Sequence, residues 1–380
     1  MDYFYLKTQI FTGREGLDDI LARVKKAFVV TDPFMVKSGM SEYLTLPFEQ
    51  KGIEYQVFSE VSPDPDISLV AKALSMMQEF QPEVVFALGG GSAIDAAKAV
   101  NYLYARGGGT NKCRFIAIPT TSGTGSEVSK FAVISDPEKS AKYPLVMDDL
   151  IPDVAILDAE LVKSVPPSVT ADTGIDVLTH AIEAFVSTKA NDFTDAAAEK
   201  AIRLVRDNLL KVYQQPGNLE ARQKMHHASC LAGIAFSNSG LGLNHGMAHT
   251  LGAHFHIPHG RANGILLPYV MGFNAGCFDK ITPVAARYAE IAGNNGLEGP
   301  TLRQSAFNVV RDTKQYIQRL HIPSNIEAAG VSREDFDRVL DEMAEAALND
   351  ACTKTNPRAC TKEDIRELFV RAYQGRLVSY

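Results

Sequence analysis

Short apolar runs alternate with amphipathic stretches in the first half of the chain. Apolar runs typical of buried strands lie at Ala27–Thr31, Val84–Leu88 and Phe115–Pro119. A helical pattern spans Ile67–Phe80, directly after the turn-rich segment Ser62–Pro65. Because strand, helix and strand follow one another in this order, the pattern predicts a parallel sheet covered by helices.

Helical periodicity dominates the second half of the chain. Two further extended segments, Ala132–Ser135 and Val154–Leu157, precede the change, which comes at Ser164–Pro167. At 380 residues the chain is also long for a single hydrophobic core. We therefore expect an α/β domain over residues 1–166 and an all-helical domain over residues 167–380.

Charge and cysteine usage narrow the class of protein. The net charge is -7 and no Lys/Arg block is present, which argues against a nucleic-acid partner. The five cysteines are scattered without a C-x-x-C pair, which argues against a disulfide framework and a thiolate metal site. The N-terminus does not resemble a signal peptide, and no apolar run has the length of a membrane span. We expect a cytoplasmic protein, or one held inside a cytoplasmic compartment.

A glycine-rich turn is the first candidate binding feature. Gly89–Ser92 follows an apolar strand and opens the helix Ala93–Val100, so free N–H groups at the helix start can meet a pyrophosphate. The alternative is a tight turn that binds nothing. Asp32, just past the strand Ala27–Thr31, is placed to bind an adenosine ribose and to repel a 2′-phosphate, which favours NAD; alternatively, Asp32 caps a helix before Pro33.

A second polar cluster lies at Pro119–Glu127, again after a predicted strand. It is crowded with hydroxyl groups and glycines, which suits contacts with the polar parts of a cofactor. A solvated turn has a similar composition. We interpret the cluster as part of a nucleotide site.

Two groups of residues have the spacing of metal ligands. Asp176 and His180 lie four residues apart in a helical segment, so both face one side; a buried Asp–His hydrogen bond is the alternative. Five of the nine histidines fall within the stretch GLNHGMAHTLGAHFHIPHG. A carboxylate with several imidazoles suits Fe, Zn or Mn. Spacing nominates Asp176, His180, His245 and His249, with His259 as a rival.

Several segments together resemble the iron-containing (group III) alcohol dehydrogenases. They are GGGSAIDAAKAV, AIPTTSGTGSEVSKFAVISDPEKSAKYPL, DTGIDVLTHAIEAFVS and GLNHGMAHTLGAHFHIPHGRANGILLPY. The resemblance implies the dehydroquinate synthase-like fold of that family, with an N-terminal α/β parallel-sheet NAD-binding domain and an all-helical metal-binding and catalytic domain. KMHHASCLAGIAFSNSGLGLNH and ALNDACTKTNPR further resemble NAD-linked propanol dehydrogenases of propanediol-utilisation microcompartments and the alcohol dehydrogenase half of bifunctional aldehyde/alcohol dehydrogenases.

The resemblance also implies site residues. It places a ferrous ion, for which Zn²⁺ can substitute, on Asp176, His180, His245 and His259. His249 is thereby moved from the ligand set and becomes the candidate proton relay. The positions that match NAD-facing residues of the family are Asp32, Gly90, Gly91, Ser92, Asp95, Thr120, Thr121, Thr124, Val133 and Lys142.

The function implied is the NAD-linked interconversion of short primary alcohols and aldehydes, with reduction of propanal-like aldehydes as the expected direction. His256 is shared with the propanol and bifunctional relatives, whereas His254 has no assigned role. Alternatives are a lactaldehyde reductase or 1,3-propanediol dehydrogenase, a dehydroquinate synthase-like lyase that uses a metal and NAD, and a silent nucleotide-binding protein. The resemblance also suggests a homodimer or larger homo-oligomer and possible microcompartment enzymes as partners. Charge and hydropathy argue against nucleic acid and a membrane as partners.

Overall fold

The computed structural model describes residues 3–107, 113–138 and 141–377, apart from the side chains of Ala141 and Lys142. The chain divides into two compact units, Tyr5–Ser164 and Val165–Tyr380 with Met1–Phe4. The sequence predicts the boundary between the two domains at residue 166.

A parallel sheet forms the centre of the unit Tyr5–Ser164. The strands are β1 (Gln9–Thr12), β2 (Lys26–Thr31), β3 (Glu54–Phe58), β4 (Val84–Gly89), β5 (Arg114–Pro119), β6 (Phe131–Asp136), β7 (Ala141–Val146) and β8 (Val154–Leu157). Six of them pair in parallel in the order β1-β8-β5-β4-β2-β3, while β6 and β7 form a separate antiparallel pair. The predicted parallel sheet is confirmed.

Helices cover both faces of this sheet. They are α1 (Glu15–Leu21), α2 (Pro33–Lys37), α3 (Glu42–Lys51), α4 (Ile67–Phe80) and α5 (Gly91–Arg106). Phe28 and Val30 of β2 pack in one core with residues of α4 and α5. Ala27 and Val29 pack in the other core with residues of α1 and α3. Because both faces are buried, the central strands are apolar at successive positions.

The described part of Val165–Tyr380 is helical. Its helices are α6 (Pro167–Val186), α7 (Asp192–Gln214), α8 (Leu219–Ser239), α9 (Leu243–Phe255), α10 (His259–Ala275), α11 (Ala285–Asn294), α12 (Leu302–Arg319), α13 (Arg333–Asn349) and α14 (Lys362–Gln374). Pro167 begins α6, where its fixed φ and missing N–H are tolerated. Among the described residues, no helix is both long and apolar enough to span a membrane.

Close packing of α6 against α10 depends on Gly260. A Cβ at Gly260 would lie 2.0 Å from the backbone oxygen of Asp172 and 3.2 Å from the Cβ of Asp176. Only a residue without a side chain allows the start of α10 to come this near to α6. The first turn of α10 therefore lies against the part of α6 that carries the candidate ligands.

Candidate functional site

Three helices bring four candidate ligands together. Asp176 and His180 lie one turn apart on α6, His245 lies in the first turn of α9, and His259 is the first residue of α10. One ligand atom from each of these residues lies within 4.8 Å of all the others. The group therefore has the composition and spacing of a divalent-cation site.

The cluster is buried on the α6 and α9 side and open at His259. The Oδ1 atom of Asp176 is 3.7 Å from Nε2 of His245 and 3.5 Å from Nε2 of His259. The rings of His180 and His245 stack with centroids 4.6 Å apart. The side chain of Asp176 is 5% exposed and that of His259 is 45% exposed. A cation bound here would be reachable by a small molecule beside His259.

The charge state of the cluster suits a metal. Burial, and then the neighbouring imidazoles of His180, His259 and His249, hold the pKa of His245 well below its ordinary value. His245 is consequently neutral, which is the form that offers a lone pair to a cation. One carboxylate with three imidazoles and no thiolate fits iron or zinc in a site that keeps a position open.

Two polar residues that sequence reasoning missed support the ligands. The Glu183 carboxylate bonds to Nδ1 of His245 and accepts from the backbone N–H of Asn244 at 2.7 Å. It thereby directs Nε2 of His245 toward the cluster. The Asn263 side-chain amide donates to Oδ1 of Asp176 at 2.8 Å. Helical spacing was the available signal, because Glu183 follows His180 by one turn and Asn263 follows His259 by one turn.

His259 is the fourth member of the cluster of candidate ligands, and His249, the alternative by spacing, lies beside it. The His249 ring stacks on that of His259 with centroids 5.5 Å apart, and its side chain is 42% exposed. Its Nδ1 atom is 2.9 Å from Oδ2 of Asp350. The other two histidines lie at the end of α9, where His254 is 3.8 Å from Glu342 and His256 is an exposed C-cap with φ of 54°.

The glycine-rich turn and Asp32 lie together at one edge of the parallel sheet. The chain leaves β2 toward β3 on one side and leaves β4 toward β5 on the other, so a topological switch point separates β2 from β4. Ligands of open α/β sheets bind outside the carboxyl ends of the strands at such a point. Asp32 follows β2, Gly89 ends β4, and Oδ2 of Asp32 is 3.3 Å from where a Cβ of Gly89 would be.

Two threonines of the second polar cluster lie over the glycine turn. A Cβ on Gly90 would be 3.5 Å from Oγ1 of Thr121, and a Cβ on Gly91 would be 2.8 Å from Cγ2 of Thr124. Gly90 is the N-cap of α5, and no described side chain caps that helix start. The turn therefore combines free helix N–H groups, hydroxyl groups and close backbone access, which suits a pyrophosphate. Thr120 also joins the turn, through its backbone N–H to Gly89 O at 3.0 Å.

The other predicted nucleotide-facing residues have diverse surroundings. Asp95 uses both carboxylate oxygens within the protein: Oδ1 accepts from Ser126 Oγ at 2.6 Å, and Oδ2 accepts from the backbone N–H of Val133 at 3.1 Å. Ser92 is half-buried in the first turn of α5. The Lys142 side chain lies outside the described part of the structure. Asp95 thus connects α5 to the second polar cluster and to β6.

Comparison with known protein families identifies the chain. The family profile "Iron-containing alcohol dehydrogenase" matches residues 7–159, and the profile "Fe-containing alcohol dehydrogenase family, C-terminal" matches residues 170–373. The chain belongs to the iron-containing alcohol dehydrogenase family. Like other members, it is an oxidoreductase that acts as an alcohol dehydrogenase. The predicted family, fold class and enzyme class are confirmed, and the lyase and silent-protein alternatives are not supported.

Individual iron-containing alcohol dehydrogenases are similar over almost the whole chain. The 1-propanol dehydrogenase PduQ of Salmonella typhimurium is 46% identical, over 97% of this chain and 99% of that protein. The NADPH-dependent butanol dehydrogenase of Clostridium saccharobutylicum is 39% identical, over 99% of both. The bifunctional aldehyde-alcohol dehydrogenase AdhE of Escherichia coli K12 is 38% identical, over 95% of this chain and 44% of that protein.

A solved structure of the family has the same fold. The iron-containing alcohol dehydrogenase of Thermococcus thioreducens superposes with a TM-score of 0.89 at 33% identity, over 98% of this chain and all of that chain. The individual metal and nucleotide positions of the present chain stay predictions, and they form the basis of the proposal below.

Proposed function

We propose that this alcohol dehydrogenase is iron-dependent and NAD-linked, and that it reduces short aldehydes such as propanal to primary alcohols. The observation that carries the proposal is the convergence of Asp176, His180, His245 and His259 within 4.8 Å. Two relatives named for 1-propanol and butanol support a short-chain substrate.

The side chains of the protein would bind the metal ion and transfer one proton. A ferrous ion would supply Lewis acidity toward the substrate oxygen, and NADH would supply the hydride. Asp176 and the three histidines would hold the ion, while Glu183 keeps the Nδ1 proton of His245 in place. His249, half-exposed beside His259, would take up a proton from solvent water at Nε2 and deliver it to the substrate oxygen, directly or through water.

The nucleotide contacts would come from the turn after β4. The free N–H groups at the start of α5 and the Thr121 and Thr124 hydroxyls are suited to the pyrophosphate. The Asp32 carboxylate would accept from the adenosine ribose and repel a 2′-phosphate, so NADH is the expected cofactor. Because one relative is named as NADPH-dependent, the preference for NADH over NADPH has to be measured.

A cofactor and aldehyde panel tests the proposal. Anaerobically purified protein would be supplied with ferrous iron and assayed for oxidation of NADH and NADPH with propanal, butanal, lactaldehyde and 3-hydroxypropanal. We expect turnover with NADH and propanal that is lost after chelation and restored by iron. Equal rates with NADPH, turnover unaffected by chelation, or turnover of lactaldehyde or 3-hydroxypropanal alone would contradict it.

Assembly and location are proposed on the same basis. We expect a homodimer or larger homo-oligomer, in the cytoplasm or inside a bacterial microcompartment, as the family resemblance of the sequence implies. Light scattering of the purified protein and fractionation of the producing cell would test these two expectations separately.

A further inference from the structure

The segment Ala347–Arg358 lies against the first turns of α9, the helix that carries His245 and His249. Its Asn356 side chain accepts from the backbone N–H of Leu243 at 3.1 Å. At Gly246, a Cβ would lie 2.2 Å from Oγ1 of Thr353, so the segment and α9 touch where no side chain intervenes. The segment thus packs against the start of α9.

One residue of this segment contacts His249 directly. Asp350 is the C-cap of α13, and its two carboxylate oxygens have different partners. Oδ1 accepts from the backbone N–H of Cys352 at 2.7 Å, and Oδ2 is 2.9 Å from Nδ1 of His249. The first bond holds the carboxylate in one orientation, so that Oδ2 faces Nδ1 of His249.

The chemistry of these two groups sets the His249 tautomer. An ionised carboxylate only accepts hydrogen bonds, so the ring nitrogen facing it must carry the proton. Burial alone would raise the pKa of Asp350, but the hydrogen bonds from His249 and Cys352 outweigh burial and lower it. The carboxylate is therefore ionised, Nδ1 of His249 is protonated, and in the neutral ring Nε2 has the lone pair.

We propose that Asp350 is a positioning residue that holds His249 in its Nδ1–H tautomer, so that Nε2 is the atom that exchanges the substrate proton. This inference rests on the proposed function, in which His249 is the proton relay. The ring of His249 is also held from its face by His259. Asp350 therefore contacts the Nδ1 edge of the ring, and His259 lies against one of its faces.

A double-mutant cycle tests the proposal in the iron-loaded enzyme. Asp350→Asn keeps the shape of the side chain but removes the charge, and its amide can present a donor to Nδ1. We expect kcat for propanal reduction to fall about 10- to 100-fold, whereas KM for NADH and propanal stays within about twofold. In a His249→Ala background the same change should alter kcat by less than about twofold, because Asp350 acts only through His249.

Controls separate positioning from damage to the fold. Asp337→Asn on the same helix removes an exposed carboxylate paired with Arg333, and it should leave kcat unchanged. Iron content and melting temperature of Asp350→Asn should match the wild type. An unchanged kcat in folded, iron-loaded Asp350→Asn, or an equal loss in both backgrounds, would overturn the proposal. If wild-type enzyme turns over no aldehyde with NADH, the proposed function fails instead.

A spectroscopic measurement of the His249 tautomer tests the proposal without relying on a folded variant at Asp350. Histidines labelled with ¹⁵N in the zinc-loaded enzyme report which ring nitrogen is protonated, and the His249 signal is the one missing in His249→Ala. A protonated Nδ1 supports the proposal. A protonated Nε2 with a bare Nδ1 contradicts it whatever the kinetics.

Discussion

The two carboxylate oxygens of Asp32 face different parts of the structure. Oδ1 accepts from the backbone N–H groups of Phe34 and Met35 at 2.8 and 3.1 Å and so caps α2. Oδ2 is directed to the turn at Gly89, where the nucleotide is proposed to bind. The two interpretations of Asp32 from sequence are therefore compatible. Because asparagine caps helices as well as aspartate does, the charge can be removed without loss of the cap.

Asp32→Asn is expected to relax the preference for NADH over NADPH. Removing the carboxylate removes its repulsion of a 2′-phosphate, so kcat/KM for NADPH should rise about tenfold, equivalent to about 1.4 kcal/mol. Steady-state kinetics with both cofactors measure this. Asp66→Asn, the same change at the N-cap of α4, serves as the matched control. An unaltered cofactor ratio would show that Asp32 is only a cap.

Glu127 is a buried carboxyl group in the second polar cluster, at 2% exposure. Burial raises its pKa to about 7 from an ordinary value of 4.5, even though the nearby Lys98 ammonium favours the charged form. Lys98 is itself buried and donates to the backbone oxygens of Ser129 and Phe131. The folded chain therefore retains a proton on Glu127 that the unfolded chain releases.

The stability of the wild type should depend on pH through Glu127. Between pH 4.5 and about 7 the folded state binds the extra proton, so its stabilising effect is lost as pH rises across this window. Glu127→Gln resembles the protonated form at every pH. We expect equal melting temperatures at about pH 4, where Glu127 is mostly protonated in both states, and a lower value for the wild type at about pH 8. A constant difference across this range would contradict the raised pKa.

At the scale of elements, the metal cluster depends on how closely α10 approaches α6. Gly260→Ala would place a Cβ 2.0 Å from the backbone oxygen of Asp172, so the two helices must separate. We expect a loss of about 1–3 kcal/mol in the free energy of unfolding and weaker iron binding, since Asp176 and His259 lie on opposite sides of this contact. Denaturant unfolding and iron content measure the two effects.

Gly293→Ala is the matched control for that prediction. Gly293 is helical, and its Cβ would have only one neighbour within 4 Å, at 3.9 Å. The substitution should stabilise α11 by up to about 1 kcal/mol, because alanine has the higher helix propensity. If Gly260→Ala behaves like this control, the close approach of α6 and α10 does not control the site.

The predictability of an element depended on how clear its periodicity is. The helix predicted at Ile67–Phe80 has those bounds, because one apolar stripe faces the sheet. The strand β3, Glu54–Phe58, was not predicted: it lies at the sheet edge, where only Phe58 is fully buried and the other four residues are exposed or partly buried. The order of the strands does not follow from local pattern, since it depends on which neighbours bury each face.

At the scale of the whole molecule, metal and nucleotide should act on different units. The candidate ligands all belong to Val165–Tyr380, and the glycine turn belongs to Tyr5–Ser164. Iron alone should slow hydrogen exchange in α6 and in the first turns of α9 and α10, while NADH alone should slow it at the start of α5. Mass spectrometry of peptides, with each ligand added singly under anaerobic conditions, checks this. Protection by iron confined to the α/β unit would contradict the ligand assignment.

Periodicity and motifs along the chain were enough to predict the fold class, the family and the position of Asp176 one helical turn before His180. Spacing left His249 and His259 as rivals. His249 lies one turn beyond His245 on α9, and only the packing of α10 on α6 brings Nε2 of His259 to 3.5 Å from the Asp176 carboxylate. The contact of Asp350 with His249 joins residues 101 positions apart. Tertiary structure alone decides such contacts, because they depend on how the helices pack.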